Sequence, residues 1–249
     1  MIGLPDAITA CLFDLDGVLT GTAALHREAW KATFDEFLRA RVGPDYQPFS
    51  EGDYAAYVDG LPRADGVRQF LRSREIELPE GDHDDPTDAA TVYGVGNRKN
   101  ELVLRLIAQR GVKPFPGSLA YLRAAQRAGL LIGVVTSSAN AAGVLDAAGI
   151  TPFVSSRIDG IVLRRDGLRG KPEPDSFLAG AHELGTAPER TAVFEDALAG
   201  VRAGKAGGFG FVVGVNRADQ AEALRRNGAD VVVDDLAELL AAHSGEERP

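Results

Sequence analysis

The chain has 249 residues, 45% of them hydrophobic, and its 36 acidic side chains outnumber 27 basic ones, which gives a formal net charge of −9. This composition excludes a mainly disordered chain, and the acidic excess without long Lys/Arg clusters predicts no nucleic-acid partner. No apolar run reaches the roughly 18 residues of a membrane span, so no membrane partner is expected, and the single cysteine, Cys11, indicates a reducing, cytoplasmic location.

Short apolar runs rich in β-branched residues recur along the chain, and amphipathic segments lie between them. Runs of this kind are typical of strands that are buried on both faces. The predicted strands lie at 8–14, 130–136, 192–195, 209–215 and 230–233. The predicted helices between them lie at 117–128, 140–148, 174–184, 197–206 and 218–227. This alternation predicts an α/β fold with a Rossmann-like parallel-sheet core.

A long segment after the first strand follows a helical pattern instead. Apolar residues recur at helical spacing from Leu25 to Leu38, a second short helix is indicated around Phe70, and 100–109 predicts a third. The stretch 79–88 is acidic and turn-rich, which is typical of an exposed loop.

This helical segment is predicted to be a separate domain, because the α/β pattern resumes after it, near Pro114. The first strand and the later strands would then form one discontinuous domain. The sequence therefore predicts two domains, an α/β core of residues 1–21 and 113–249 and an inserted helical cap of residues 22–112.

Polar side chains follow the predicted strands, at the sheet edge where open α/β folds bind ligands. Asp14 and Asp16 leave the first strand into a glycine turn, and two carboxyl groups there are costly unless a cation or a reaction uses them. An isolated Asp-x-Asp-Gly is more often a turn or a helix cap. Here, however, Thr136 ends a later strand and Lys171 lies in a proline-flanked turn before a helix. The pair at 195–196, Glu-Asp, ends another strand.

These four elements, in this chain order, resemble the haloacid dehalogenase (HAD) superfamily of phosphotransferases. The resemblance implies a HAD-like core in which Asp14 becomes phosphorylated and Asp16 acts as general acid and base. Lys171 and Thr136 would hold oxygens of the transferring phosphoryl group. The resemblance further implies a Mg²⁺ cofactor, which would be bound by Asp14, Asp16 (through its backbone carbonyl), Glu195 and Asp196.

Within that superfamily, parts of the cap and of the second core loop are similar to the β-phosphoglucomutase family. The similar segments are 60–63 (Gly-Leu-Pro-Arg), 97–100 (Asn-Arg-Lys-Asn) and 136–140 (Thr-Ser-Ser-Ala-Asn). The resemblance implies interconversion of β-glucose 1-phosphate and glucose 6-phosphate through a bisphosphate. It implies that two cap residues, His26 and Lys99, position Asp16. The non-transferring phosphate would be bound by Arg63, Ser138 and Asn140, and Ser137 would also bind the substrate.

Two departures from that pattern, each the loss of a lysine, keep a second activity open. Asp59 and Leu61 stand near the position where such mutases tend to carry a lysine, and Ala139 replaces another lysine. Weaker binding of a second phosphate favours a sugar-phosphate phosphatase of the same fold, in which water attacks the phosphorylated aspartate. Either enzyme would act on a small phosphorylated sugar, and the chain is expected to be a monomer.

Structural and signalling alternatives also exist for these residues. His26 could be a core histidine, Arg63 a surface arginine, and Arg98 with Lys99 a charge pair at a helix N-terminus. A phospho-receiver module also combines an acceptor aspartate, a hydroxyl group and a lysine. The helical insertion and the second aspartate, Asp16, argue against that module.

Overall fold

The computed structural model describes residues 2–241, which fold into two compact units. One unit comprises the segments up to Gly21 and from Val112 onward, and the other comprises Thr22–Gly111. The sequence placed the second boundary one residue later, between 112 and 113. Residue 1 and residues 242–249 of the expected core lie outside the described residues.

A six-stranded parallel sheet forms the centre of the first unit. Its strands are β1 (Ala10–Phe13), β2 (Leu131–Val135), β3 (Ser156–Ile158), β4 (Thr191–Glu195), β5 (Phe211–Val215) and β6 (Val231–Val233). Their spatial order is β3-β2-β1-β4-β5-β6. Ala10 of β1 therefore lies opposite both Leu131 of β2 and Thr191 of β4. All pairs are parallel, so the carboxyl ends of the strands share one edge.

The central strands are apolar because both faces of the sheet are covered. Every residue of β1 and of β4 is buried. Since successive side chains point to opposite faces, complete burial of a strand requires a packed layer on each side. The rings of Phe13 and Phe194, on these neighbouring strands, stack with centroids 4.3 Å apart. This packing fixes the strand ends from which Asp14 and Asp196 emerge.

The second unit is built from helices around an aromatic core. Its helices are α1 (Ala23–Val42), α2 (Glu51–Tyr57), α3 (Arg63–Ser73) and α4 (Val92–Arg110). Phe34 of α1 lies 4.9 Å from the ring of Trp30 and 4.2 Å from the ring of Phe70 on α3, measured between ring centroids. Ser50 begins α2 with a capping box, and Thr91 begins α4 by accepting from the Gly94 N–H.

The remaining helices belong to the first unit, where they lie between the strands in the chain or after the last one. They are α5 (Pro116–Arg127), α6 (Ala141–Ala147), α7 (Gly160–Asp166), α8 (Asp175–Glu183), α9 (Leu198–Ala206), α10 (Ala221–Arg226) and α11 (Ala237–Ala241). Short 3₁₀ turns lie at Thr151–Phe153 and Pro188–Arg190. A helix with the length and hydropathy to cross a membrane is not found within residues 2–241.

The predicted parallel α/β sheet is confirmed, whereas several local elements differ from the prediction. The sequence did not predict β3, whose three residues contain one apolar side chain, nor the short helices α2, α7 and α11. Helix α4 begins at Val92 rather than near residue 100, because Thr91 caps it although Gly94 and Gly96 are poor helix formers. Arg98 and Lys99 therefore lie inside α4, so the alternative that they form a charge pair at a helix N-terminus is wrong.

Candidate active site

The turn after β1 holds Asp14 at the carboxyl edge of the sheet. Gly17 has a φ of 100°, a backbone conformation that favours glycine. The Gly17 N–H donates to the Thr20 carbonyl at 2.8 Å, and the Thr20 N–H donates to the Leu15 carbonyl at 3.0 Å. The side chains of Leu15 and Leu19 are fully buried and anchor the turn in the core. The Asp14 side chain therefore leaves a fixed backbone, and the residue is 6% exposed.

Lys171 places a positive charge inside this site. Its Nζ donates to Asp14 Oδ1 at 2.6 Å, to the Val135 carbonyl at 3.1 Å and to Glu195 Oε1. These three acceptors match the three N–H groups of an ammonium ion. Burial acts to lower the pKa of Lys171, but the Asp14 and Glu195 carboxylates outweigh burial and raise it above its usual value. Lys171 is therefore a fixed cation rather than a proton donor.

Asp14 is surrounded by more negative charge than Lys171 alone balances. Burial raises the pKa of the Asp14 carboxyl well above its usual range, and the Lys171 ammonium opposes that rise. The Glu195 and Asp16 carboxylates raise it further. A second cation would favour the ionised form of Asp14, which is the form in which a carboxylate is a nucleophile.

Glu195, the last residue of β4, orients the lysine. Its Oε1 accepts from Lys171, and its Oε2 accepts from the Ala197 N–H at 3.0 Å. A Cβ atom at Gly200 would lie 1.9 Å from Oε1, so the first turns of α9 must carry glycine there to admit the carboxylate. Both oxygens of Glu195 thus have hydrogen-bond donors within the protein.

The loop between β2 and α6 brings hydroxyl groups to the same edge. Thr136 Oγ1 donates to Asp16 Oδ2 at 3.4 Å, which is longer than an ordinary hydroxyl hydrogen bond. The same oxygen accepts from the Ser138 N–H at 3.1 Å, and Ser138 Oγ accepts from the Asn140 N–H at 3.2 Å. Thr136 is therefore a neighbour of Asp16, and Ser137, Ser138 and Asn140 follow it on one locally bonded loop.

Asp196 adds another carboxyl group beside the first turn. Its Oδ2 lies 2.0 Å from the position that a Cβ on Gly17 would occupy, so the carboxyl group packs against the backbone after Asp16. Across residues 2–241, no three His, Cys, Asp or Glu side chains form a complete metal site. Mg²⁺ needs fewer protein ligands, because it keeps waters and binds one or two carboxylates together with substrate phosphates. The carboxylates of Asp14 and Asp196 and the Asp16 carbonyl, all hard oxygen donors, fit that ion.

Two of the predicted cap residues are paired in the helical unit. Lys99 on α4 is 4% exposed, and its Nζ lies 2.8 Å from Nδ1 of His26 on α1. The same ammonium lies 4.8 Å from the ring centroid of Trp30. An ammonium can only donate, so in this contact the acceptor toward Lys99 is Nδ1 of His26. The structure thus brings His26 and Lys99 together.

Arg63 is the first residue of α3 and is half-buried. Its NH2 group donates to Asn97 Oδ1 on α4 at 3.0 Å. A Cβ atom on Gly96 would lie 3.3 Å from Cγ of Arg63, so the aliphatic part of this arginine passes close to the α4 backbone. The side chain is therefore held by its surroundings rather than extended into solvent as a surface arginine would be.

Arg217 and Gln220, in the loop after β5, also hold the site in place through main-chain contacts. The sequence analysis did not identify either residue. Arg217 donates to the Gly17 carbonyl through Nε and to the Asp234 carbonyl through NH1, both at 2.8 Å. Its guanidinium carbon lies 3.9 Å from the ring centroid of Phe115. Gln220 Nε2 donates to the Asp196 carbonyl at 2.9 Å. Their position after a parallel strand, at the carboxyl edge of the sheet, was the available signal.

Comparisons with known proteins agree with this geometry. The family model of haloacid dehalogenase-like hydrolases matches residues 8–208. A β-phosphoglucomutase of Mycobacterium bovis is 56% identical over 96% of this chain and 94% of its own. A validoxylamine A 7'-phosphate phosphatase of Streptomyces hygroscopicus subsp. limoneus is 28% identical over 94% of this chain and 97% of its own. The crystal structure of a β-phosphoglucomutase from Clostridium difficile has a TM-score of 0.74 at 26% identity, and 93% of each chain is covered. This chain therefore belongs to the haloacid dehalogenase-like hydrolase family, in its β-phosphoglucomutase-like branch.

Proposed function

We propose that this enzyme is a magnesium-dependent phosphohexomutase that interconverts β-glucose 1-phosphate and glucose 6-phosphate. The observation that carries the proposed chemistry is the buried Asp14 carboxyl group, 2.6 Å from the ammonium of Lys171 at the end of the central strand. The similarity to the mycobacterial mutase along nearly the whole chain supports the choice of substrate. The reaction would pass through a phosphorylated Asp14 and a sugar bisphosphate.

Asp14 is the proposed nucleophile. Its carboxylate attacks the phosphorus atom, so an Asp14 O–P bond forms while the bond between phosphorus and the sugar oxygen breaks. Lys171 neutralises one phosphoryl oxygen, and the Thr136 hydroxyl donates to another. When bound, Mg²⁺ supplies a second positive charge that stabilises the ionised carboxylate and the phosphoryl oxygens. It would be held by Asp14, Asp196 and the Asp16 carbonyl.

We assign Glu195 to the lysine rather than to the metal ion directly. Both of its oxygens accept hydrogen bonds, from Lys171 and from the Ala197 N–H. In this position Glu195 fixes the direction of the ammonium group. Its charge still contributes to the field at the metal ion.

Asp16 is the proposed general acid and base. In its protonated form it gives a proton to the departing sugar oxygen. In the earlier step that forms the bisphosphate, Asp16 takes the proton from the sugar hydroxyl group that attacks phosphorylated Asp14. The bisphosphate then reorients, and the freed Asp14 carboxylate attacks its other phosphoryl group. We propose that His26 and Lys99, which are paired at 2.8 Å, position Asp16 for these transfers.

A mutase needs a site for the phosphate that is not being transferred. We assign this role to the Arg63 guanidinium, which suits a phosphate, together with neutral donors of the loop after β2. These donors are Ser137, Ser138 and Asn140. A monoester phosphatase has no need of such a second set.

A phosphatase of the same fold remains the second candidate function. Asp59 and Ala139 supply no positive charge where mutases of this branch tend to carry lysine, and one relative of the chain is named as a phosphatase. In that enzyme, water would attack phosphorylated Asp14. The carboxyl groups and Lys171 would act in the same way up to that step.

Product analysis separates the two functions. Protein incubated with β-glucose 1-phosphate, MgCl₂ and catalytic β-glucose 1,6-bisphosphate is expected to form glucose 6-phosphate, followed with a coupled dehydrogenase. The Asp14→Asn variant is the control for contaminating activity. Release of inorganic phosphate without glucose 6-phosphate would reject the mutase and support the phosphatase.

We further propose that the enzyme acts as a cytoplasmic monomer. Cys11 is fully buried, and burial raises the pKa of its thiol, so it is an unreactive core residue that suits a reducing compartment. Within the described residues, the large exposed apolar side chains lie on five different elements, α1, α4, β2, α7 and α8. They are Val42, Leu104, Leu131, Ile161 and Leu178. Light scattering coupled to gel filtration tests the monomer, and a dimeric mass would contradict it.

A further inference from the structure

The acidic loop 79–88 is tied to the helices on both sides of it. Arg68 of α3 donates from Nε to Glu80 Oε2 at 3.0 Å. Thr91, which caps α4, donates from Oγ1 to Asp85 Oδ2 at 2.6 Å. The loop therefore has a defined conformation, although most of its side chains are exposed.

Asn97 joins this loop to Arg63. Its Nδ2 group donates to the His83 carbonyl at 2.9 Å and to the Asp85 carbonyl at 2.8 Å. Its Oδ1 accepts from the Arg63 NH2 group at 3.0 Å. Since the two amide protons are both given to loop carbonyls, the amide oxygen must face the guanidinium.

The contact with Asn97 fixes the direction of Arg63 and itself adds no negative charge beside the guanidinium. The stem of Arg63 lies against Gly96, and its head is bonded to Asn97, so less side-chain entropy is lost when an anion binds. An asparagine oxygen carries no net charge. A carboxylate at the same point would instead pair with the guanidinium and compete with an incoming anion.

We propose that Asn97 is a positioning residue through which the ordered loop 79–88 presets the Arg63 guanidinium for the second phosphate of a sugar bisphosphate. The inference rests on the proposed function in one respect, the assignment of Arg63 to phosphate. Neither Asn97 nor the loop needs to touch the substrate for this role.

Calorimetry on a catalytically silent protein tests the proposal without turnover. In an Asp14→Asn background with MgCl₂, Arg63→Ala is expected to raise the Kd for β-glucose 1,6-bisphosphate by about 30-fold, as for loss of a charge-assisted contact. Asn97→Ala should raise it by about 5-fold, the size of one ordinary hydrogen bond. In the Arg63→Ala protein, Asn97→Ala should have no further effect, because its partner is gone.

A second variant and a control sharpen the test. Asn97→Asp keeps the size of the side chain and adds a charge beside Arg63, so it should weaken binding more than Asn97→Ala. Asn227→Ala removes a similar amide, whose Nδ2 donates to the Ala223 carbonyl at 2.7 Å in the other unit. That control should leave the Kd unchanged.

Two results would overturn the proposal. One is an unchanged Kd in both Asn97 variants, and the other is an equal loss from Asn97→Ala with and without Arg63. Failure of the proposed function is a separate observation, because wild-type protein would then form no glucose 6-phosphate while the coupling between Asn97 and Arg63 could still be measured by binding.

Discussion

Replacing Lys171 by methionine removes the ammonium group that the buried carboxylates of Asp14 and Glu195 share. The side chains of Lys171 and Glu195 are each 1% exposed, and Asp14 lies on the other side of the same ammonium. Methionine has a similar length but no charge. The variant would leave two carboxyl groups buried next to each other without their shared donor.

The expected cost follows from this burial. Removing one partner of a buried ion pair costs about 3–5 kcal/mol, and at 1% exposure there is little solvent screening to reduce it. For a chain of this size, about 2–4 °C of melting temperature corresponds to each kcal/mol, so Tm should fall by roughly 6–20 °C. Glu195→Gln in the same protein removes one of the two unpaired charges and should recover about half of the loss.

Urea unfolding followed by circular dichroism measures the free energy, and Lys205→Met, at an exposed lysine of α9, is the matched control. The pKa of Lys171 is raised in the folded protein, so its contribution is complete at neutral pH and is lost only when the pH rises into the strongly alkaline range. In Lys171→Met the charge that opposes the rise of the Asp14 pKa is gone, so the variant should lose stability relative to wild type as the pH rises from about 6 to 8. A variant within about 1 kcal/mol of wild type would refute the reasoning.

Four further predictions concern the reaction and its support. Asp14→Asn should abolish turnover and the phosphoprotein found by mass spectrometry, because an amide is a poor nucleophile; appreciable residual turnover would place the nucleophile elsewhere. Asp16→Ala should lower kcat by about 10²–10⁴, the usual contribution of a general acid or base, and a loss below tenfold in steady-state assays would remove it from that role. Chelation with EDTA should stop turnover and added MgCl₂ should restore it, whereas full activity in EDTA would contradict a metal requirement. Arg217→Ala should lower the free energy of unfolding by about 2 kcal/mol, since two hydrogen bonds to main-chain carbonyls are lost, and Arg217→Lys should recover part of it in urea titrations.

The sheet and its reactive edge could be predicted because their signals are local. The apolar run that ends at Phe13 and the Asp-x-Asp-Gly turn after it are contiguous in the sequence. A second apolar run is likewise followed directly by two acidic residues, Glu195 and Asp196. Chain order and parallel topology then place the carboxyl groups of these runs at one edge, as the pairing of β1 with β4 confirms.

The hydrogen-bond partners of the supporting residues could not be predicted, because they are set by tertiary packing. Arg217 bonds to the Gly17 carbonyl across a separation of 200 residues, and nothing near Arg217 in the sequence specifies that contact. Asn97 lies close to Gly94 and Gly96, and because glycine is a poor helix former, the sequence analysis did not extend the helix back to Val92, where α4 begins. Most of these hydrogen bonds are accepted by main-chain carbonyl groups. Every residue type has such a group, so the sequence does not show which carbonyl will accept.

The position of β1 at the centre of the sheet has a consequence for synthesis on the ribosome. Ala10 pairs with Leu131 on one side and with Thr191 on the other. The ribosome adds about 5–20 residues per second, so β4 is translated roughly 10–35 s after β1. During that interval the edge of β1 that will pair with β4 has no partner strand, although β1 is fully buried in the folded enzyme. Nascent chains should therefore depend on chaperones that bind hydrophobic segments near the N-terminus.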